Sequence, residues 1–185
     1  MFNWDRTIFQ FLFDWNQLFF LNWFFVFLSE WLIYFLIAGF AIYIFSLKLF
    51  SVKFYYLSLA LLSFILSRGI LAEIMNLIII SPRPLVFLGI ESLNNLGLSY
   101  SMPSGHMTAL APLSLTIYEA DKKLGRWFIG LTWLTGIGRV ITGFHWPSDI
   151  IVGFLVGFLS FYLVKEILPP HPKRCGGKVV DSSPR

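Results

Sequence analysis

Long apolar stretches bounded by charged or turn-forming residues recur along this chain of 185 residues, and nothing else in the sequence restricts its fold as strongly. Four of them, residues 31–49, 54–80, 126–143 and 148–165, approach or exceed the roughly 20 residues a helix needs to cross a bilayer core about 30 Å thick. A fifth, 104–120, is less hydrophobic, but it starts at Pro103-Ser104, a helix-opening pair, and lies between polar loops. Backbone groups in hydrocarbon must be satisfied internally, so the expected class is all-α, a polytopic membrane helix bundle with five transmembrane helices. Composition agrees, because 57% hydrophobic and 13% charged residues exclude a soluble globular domain.

Residues 1–30 read differently. Phe, Trp and Leu crowd them, yet Asp5, Arg6, Asp14, Asn16, Gln17 and Asn22 interrupt the run, which predicts an aromatic-rich interfacial helix. The bundle has six spans if residues 1–29 cross. Residues 31–168 then form the transmembrane domain, and 169–185 (PPHPKRCGGKVVDSSPR) a disordered basic cytoplasmic tail. The single cysteine, Cys175, falls in that tail and excludes an internal disulfide framework or a multi-cysteine metal site. No cleavable signal peptide is expected, since no positive segment precedes a short apolar run with a cleavage site.

Basic residues set the orientation. Lys48, Lys53, Lys122, Lys123, Arg126, Lys165, Lys173, Arg174, Lys178 and Arg185, ten of the fourteen, fall on one side of the spans. The positive-inside rule makes that side cytoplasmic and puts segments 81–103 and 143–149 on the outer face. The expectation is a multi-pass protein of the cell membrane with its reactive groups on the extracytoplasmic face.

Those outer segments hold the side chains able to do chemistry: Arg83-Pro84, then Pro103-Ser104-Gly105-His106, then Arg139 with His145 and Asp149. Charged groups beside hydrocarbon are costly, so their gathering points to a functional site. Two guanidiniums match the oxygens of a phosphate, and the helix start after Pro103 aims its free N–H groups at an anion. His145 and Asp149 are four apart at a helix start marked by Pro147-Ser148, which puts them on one face. The carboxylate can fix the imidazole tautomer and leave the other ring nitrogen free to attack, which implies a phosphohistidine intermediate. His106, on another helix start, is placed to protonate the departing oxygen and then to help deprotonate water. Arg68 reads as a polar contact with another helix, because Glu73, five residues on, is off its helix face. Gly153 and Gly157 read as a close-packing face.

Taken in order, Arg83-Pro84, the Pro103-Ser104-Gly105-His106 run and Arg139-x5-His145-x3-Asp149 resemble the three-part signature of the PAP2 superfamily, membrane lipid phosphatases similar in active site to vanadium haloperoxidases. The resemblance covers residues 31–165. It implies His145 as nucleophile, Asp149 as its orienting carboxylate and His106 as acid. Arg83, Arg139, Ser104 and the Gly105 N–H would hold the phosphate, with no metal and no cofactor. Two positions depart from the family pattern: Asn76 stands where the first motif has a lysine, and Gly138 precedes Arg139 where the third has a serine. Asn76 donates hydrogen bonds without charge, and Glu73 on the same helix face can bind a water or an arginine; both are accessory candidates.

Small size and short loops resemble bacterial members acting on undecaprenyl diphosphate. The implied reaction is therefore removal of a terminal phosphate at the outer face, undecaprenyl diphosphate to undecaprenyl phosphate. Phosphatidic acid or phosphatidylglycerophosphate suits the same charges. The implied partners are a lipid (di)phosphate and surrounding membrane lipid, with no nucleic acid, and the sequence sets no oligomeric state. A non-catalytic lipid-phosphate-binding membrane protein is the rival that Asn76 favours and that the set of His106, His145 and Asp149 opposes. A vanadate-dependent peroxidase is opposed by the lack of a soluble domain.

Overall fold

A computed structural model describes residues 3–14, 19–87, 89, 101–169, 173–175 and 178–180. Most of the expected outer loop after Phe87 and most of the expected tail lie outside the described residues. The helices are α1 (Asn3–Phe13), α2 (Phe19–Val26), α3 (Leu32–Ser46), α4 (Phe50–Phe64), α5 (Ala72–Ile78), α6 (Pro84–Phe87), α7 (Gly105–Ala120), α8 (Lys122–Ile141) and α9 (Pro147–Ile167). Two π turns, Phe27–Trp31 and Ile65–Leu71, join α2 to α3 and α4 to α5. Within the tail, β1 (Lys173–Cys175) pairs antiparallel with β2 (Lys178–Val180).

The fold is that of a helical membrane protein. Among the described residues, three stretches are long and apolar enough to cross a bilayer: Asn22–Ser46, Phe50–Ile78 and Pro147–Ile167. The first begins earlier than the expected 31–49 and takes in part of the expected interfacial segment, leaving α1 as the separate N-terminal helix. Residues 23–29 (WFFVFLS) carry no charge, and Glu30 is matched by an ion pair with Arg139 on another helix. α7 and α8 are not among the three. α7 has 16 residues and α8 opens on Lys122-Lys123 and is diluted by glycine and threonine.

α7 is the central helix, with α8 and α9 along its sides and α3 and α4 completing the ring. Its polar character suits that place. Thr108, Ser114 and Thr116 are buried, and their hydroxyls bond helix carbonyls or one another's neighbours, as Ser114 does with Thr132 at 2.7 Å. Large apolar side chains such as Trp23, Ile42, Phe50, Leu77 and Ile167 instead point outward. Helices in lipid gain no hydrophobic drive from meeting, so close packing of small residues and shared hydroxyls hold them together. A Cβ at Gly157 would lie 2.6 Å from the Ala111 Cβ, and one at Gly153 would lie 2.9 Å from the Ser104 carbonyl oxygen. α9 thus lies directly against α7, and this contact brings the start of α9 beside Ser104.

α1 fastens the other side of that start. Asp5 and Phe9 share one helix face; the Asp5 carboxylate accepts the Ser148 N–H at 2.9 Å and the Ser148 hydroxyl at 2.7 Å, and Phe9 packs edge-on to Trp146. Asp5 therefore caps a helix that begins more than a hundred residues later, where free N–H groups and the helix dipole favour an acid.

Candidate active site

Pro147 opens α9, where its missing N–H costs no hydrogen bond, and Asp149 completes the turn by accepting the Trp146 N–H at 2.8 Å. The same carboxylate oxygen accepts the Ser101 hydroxyl. Ser101 N–H donates to Ser81 O at 2.8 Å, Trp146 Nε1 to Pro82 O at 2.9 Å, and Ser104 N–H to Asp149 O at 3.1 Å. On the α8 side, the N–H groups of Phe144 and His145 both donate to Arg139 O, at 3.0 and 3.3 Å. Three segments distant in sequence are thereby stitched into one frame around α7's first turn.

Between them lies a cavity of about 560 Å³ lined by Arg83, Gly105, His106, Arg139 and His145, with Glu73 and Asn76 on its α5 wall. Ser104 and Asp149 stand buried behind it. All the expected site residues thus gather within or directly behind one cavity. Among the described residues no three His, Cys, Asp or Glu side chains form a group able to hold a metal ion.

His145 is held differently from expectation. Its Nδ1 lies 2.9 Å from the Ser101 carbonyl oxygen and 3.5 Å from Asp149 Oδ2. A carbonyl only accepts, so Nδ1 carries the hydrogen and Nε2 is left with its lone pair. The tautomer is therefore set by a backbone carbonyl, while Asp149 holds Ser101 and Trp146 in place and supplies negative charge close to the ring. Burial holds the His145 imidazole below its ordinary pKa, against the raising effect of Asp149, so the ring is neutral at pH 7.

The phosphate-binding candidates are donors in want of an acceptor. Arg83 Nε, Arg139 Nε and Ser104 Oγ are buried without a hydrogen-bond partner among the described residues. Buried groups of this kind are as a rule satisfied by a ligand, an ion or ordered water. Burial lowers the Arg83 pKa, with Asp149 and Glu30 opposing the shift, and its guanidinium remains charged. The Arg139 guanidinium lies 4.4 Å from the Phe144 ring centroid and pairs with Glu30. Asn76 presents a buried, unpartnered Oδ1, an acceptor rather than the donor expected from its place beside a phosphate. A flipped amide, or a protonated oxygen on the ligand, would satisfy it.

Four residues contribute in ways that escape the sequence reading. Glu30 carried a signal, an acid inside an otherwise apolar helix, but its partner did not. Ser101 acts chiefly through its main-chain carbonyl, which no residue type advertises. Asp5 and Ser148 have no sequence relation at all. Arg68 requires a correction: it does pair with Glu73. Both lie in or beside the π turn at Ile65–Leu71, where Ala72 N–H bonds Ser67 O, so residues five apart come onto one face.

Comparison with known proteins places this geometry in a family. The PAP2 superfamily profile matches residues 55–172. The chain is 29% identical over 139 residues to the bacitracin transport permease protein BcrC of Bacillus licheniformis, covering 75% of this chain and 67% of that one. It is also 29% identical over 101 residues to the undecaprenyl-diphosphatase BcrC of Bacillus subtilis, 52% of each chain. A non-specific acid phosphatase of Salmonella typhimurium is 35% identical over 77 residues, 42% of this chain and 31% of that one. The chain thus spans about half to two thirds of the two BcrC proteins. No solved structure matches it. With the profile covering well over half of the sequence and the matching residues lining one cavity, the chain belongs to the PAP2 superfamily.

Proposed function

We propose that this phosphatase of the PAP2 superfamily removes the terminal phosphate of a lipid (di)phosphate at the outer membrane face, with undecaprenyl diphosphate as its substrate and undecaprenyl phosphate as product. The observation that carries the reading is the His145 ring, with its Nδ1 hydrogen on the Ser101 carbonyl, lining a cavity where the buried Nε atoms of Arg83 and Arg139 have no acceptor among the described residues. In the first step His145 Nε2 forms a bond to phosphorus as the bond from phosphorus to the bridging oxygen breaks, and His106 donates its proton to that oxygen. In the second, water attacks phosphorus, His106 takes a proton from it, the N–P bond breaks and phosphate leaves. Arg83, Arg139, Ser104 and the Gly105 N–H take up the charge that grows on the phosphoryl oxygens. The choice of lipid draws on the likeness to the B. subtilis undecaprenyl-diphosphatase. Five spans plus interfacial α1 complete the reading, with α7 and α8 as the polar, inner spans.

Phosphate release by the purified protein from a panel of undecaprenyl diphosphate, phosphatidic acid and phosphatidylglycerophosphate, with chelator present, tests this directly. Highest kcat/KM on the diphosphate supports the assignment; preference for a monophosphate replaces the substrate; no release from any of them leaves a lipid-phosphate binder. The pH profile adds a mechanistic check. Because burial lowers the His145 pKa, its free base persists as pH falls through 6.5, so the acid limb of kcat/KM should lie below that value. A limb above it would mean that the attacking group is not this imidazole.

Orientation is tested separately. In a Cys175→Ser background, Asn95→Cys should react with an impermeant thiol reagent in intact cells and Lys123→Cys only after permeabilisation. The reverse pattern would put the site on the cytoplasmic side.

A further inference from the structure

We propose that Arg68 is a third guanidinium ligand of the transferred phosphate, set into the site by the π turn that interrupts the second membrane-length helix. The inference rests on the phosphatase reading and deepens it. Arg68 sits within the predominantly apolar stretch Phe50–Ile78, where a cation far from the helix ends is costly unless it is paired or serves a site. It lines the same cavity as His106, Arg83, Arg139 and His145. Its side chain is aimed at one spot: a Cβ on Gly105 would lie 3.1 Å from Arg68 Nε and 3.6 Å from its Cζ. Gly105 is the first residue of α7, whose opening N–H groups have no acceptor within the helix. Arg68 and those N–H groups thus address the same volume, and an anion seated on the first turn of α7 meets the guanidinium as well.

The π turn explains how a residue at this position gets there. Ala72 N–H bonds Ser67 O, and the Ser67 hydroxyl donates to Thr108 O at 2.8 Å, which pins the widened turn to α7. Arg68, next in sequence, is delivered to the end of α7 by that anchor. It pairs with Glu73, which lines the same cavity, and the two side chains are 40% and 55% exposed. A phosphate carries more negative charge than a single carboxylate and competes with Glu73 for the guanidinium. Arg139 also pairs with an acid, Glu30, but there the guanidinium is buried and only the carboxylate is exposed. Two of the arginines lining the cavity are thus each paired with an acid, Arg68 with Glu73 and Arg139 with Glu30. Asn76, on the same cavity wall, leaves the α5 side without a cation of its own, and Arg68 supplies that charge.

The test uses the full chain and its lipid diphosphate activity. Arg68→Gln should lower kcat/KM by about 30-fold or more, since a charge-assisted donor is lost where phosphoryl charge develops. Arg68→Lys should retain most of the activity, and adding Asn76→Lys to Arg68→Gln should recover about tenfold, because a cation returns to the same cavity. Glu73→Gln breaks the same ion pair while leaving the guanidinium, and should lower KM by removing a competitor. A merely structural Arg68 predicts the opposite: Glu73→Gln would reproduce the loss, and Asn76→Lys would not repair it. Activity of Arg68→Gln within twofold of wild type, or that structural pattern, overturns the inference. Binding of inorganic phosphate, measured by titration calorimetry, gives a readout independent of turnover. If the wild-type protein releases no phosphate from any lipid, the phosphatase reading fails, and an unchanged phosphate Kd in Arg68→Gln would separately overturn the role of Arg68.

Discussion

His145→Ala should reduce phosphate release by at least about 10⁴-fold while inorganic phosphate still binds within a few-fold of wild type, because the attacking nitrogen goes and every cationic ligand stays. The separation of these effects follows from the frame. His145 is held by its own N–H to Arg139 O and by Nδ1 to Ser101 O, and the alanine keeps the first of these. The second loss leaves the Ser101 carbonyl without its imidazole donor, in a space that a water can fill. Arg83 and Arg139 are positioned from other segments, so phosphate affinity does not depend on the ring. Acid-quenched wild-type enzyme given labelled lipid diphosphate should carry acid-labile, base-stable label that the variant lacks. Turnover of the variant above about one per cent of wild type would move the nucleophile elsewhere.

Asp149→Asn is the second large effect, and the structure sets its size. Were the carboxylate alone in fixing the tautomer, the loss would be expected near the 10⁴-fold seen when a catalytic triad loses its acid. Here the Ser101 carbonyl fixes it, so what disappears is the negative charge 3.5 Å from a ring that turns cationic when it bonds phosphorus. Removing one preorganised electrostatic contact of that kind costs about 10²–10³-fold in kcat. The amide oxygen can still accept the Trp146 N–H and the Ser101 hydroxyl, and the amide nitrogen takes the position of Oδ1, which has no partner among the described residues. The fold should therefore persist, with an unchanged helical signal and thermal midpoint. The acid limb should also move further down, since Asp149 raises the His145 pKa and the variant removes that support. A kcat equal to wild type, or a limb that moves upward, would take Asp149 out of charge stabilisation.

The parts of the site legible in the sequence are those built within one helical turn or by membrane sidedness. Pro147, Ser148 and the His145–Asp149 spacing define a helix start and one face of it, because periodicity is a local property of the chain. The basic loops predict a common side for Arg83, His106 and His145 without any tertiary information, and the three residues line one cavity. What the tertiary structure decided lies in backbone atoms, in register and in distant partners. The hydrogen on His145 is governed by the main-chain carbonyl of Ser101, an atom that every residue possesses and no pattern marks. Arg68 reaches Glu73 and the first turn of α7 only because a π turn shifts the register that regular helical spacing assumes. The start of the first membrane-length helix extends past Glu30 because Arg139, on another helix, neutralises it. Asp5 caps Ser148 because α1 folds back over α9, bringing together residues whose types are ordinary and whose meeting is the whole of the signal.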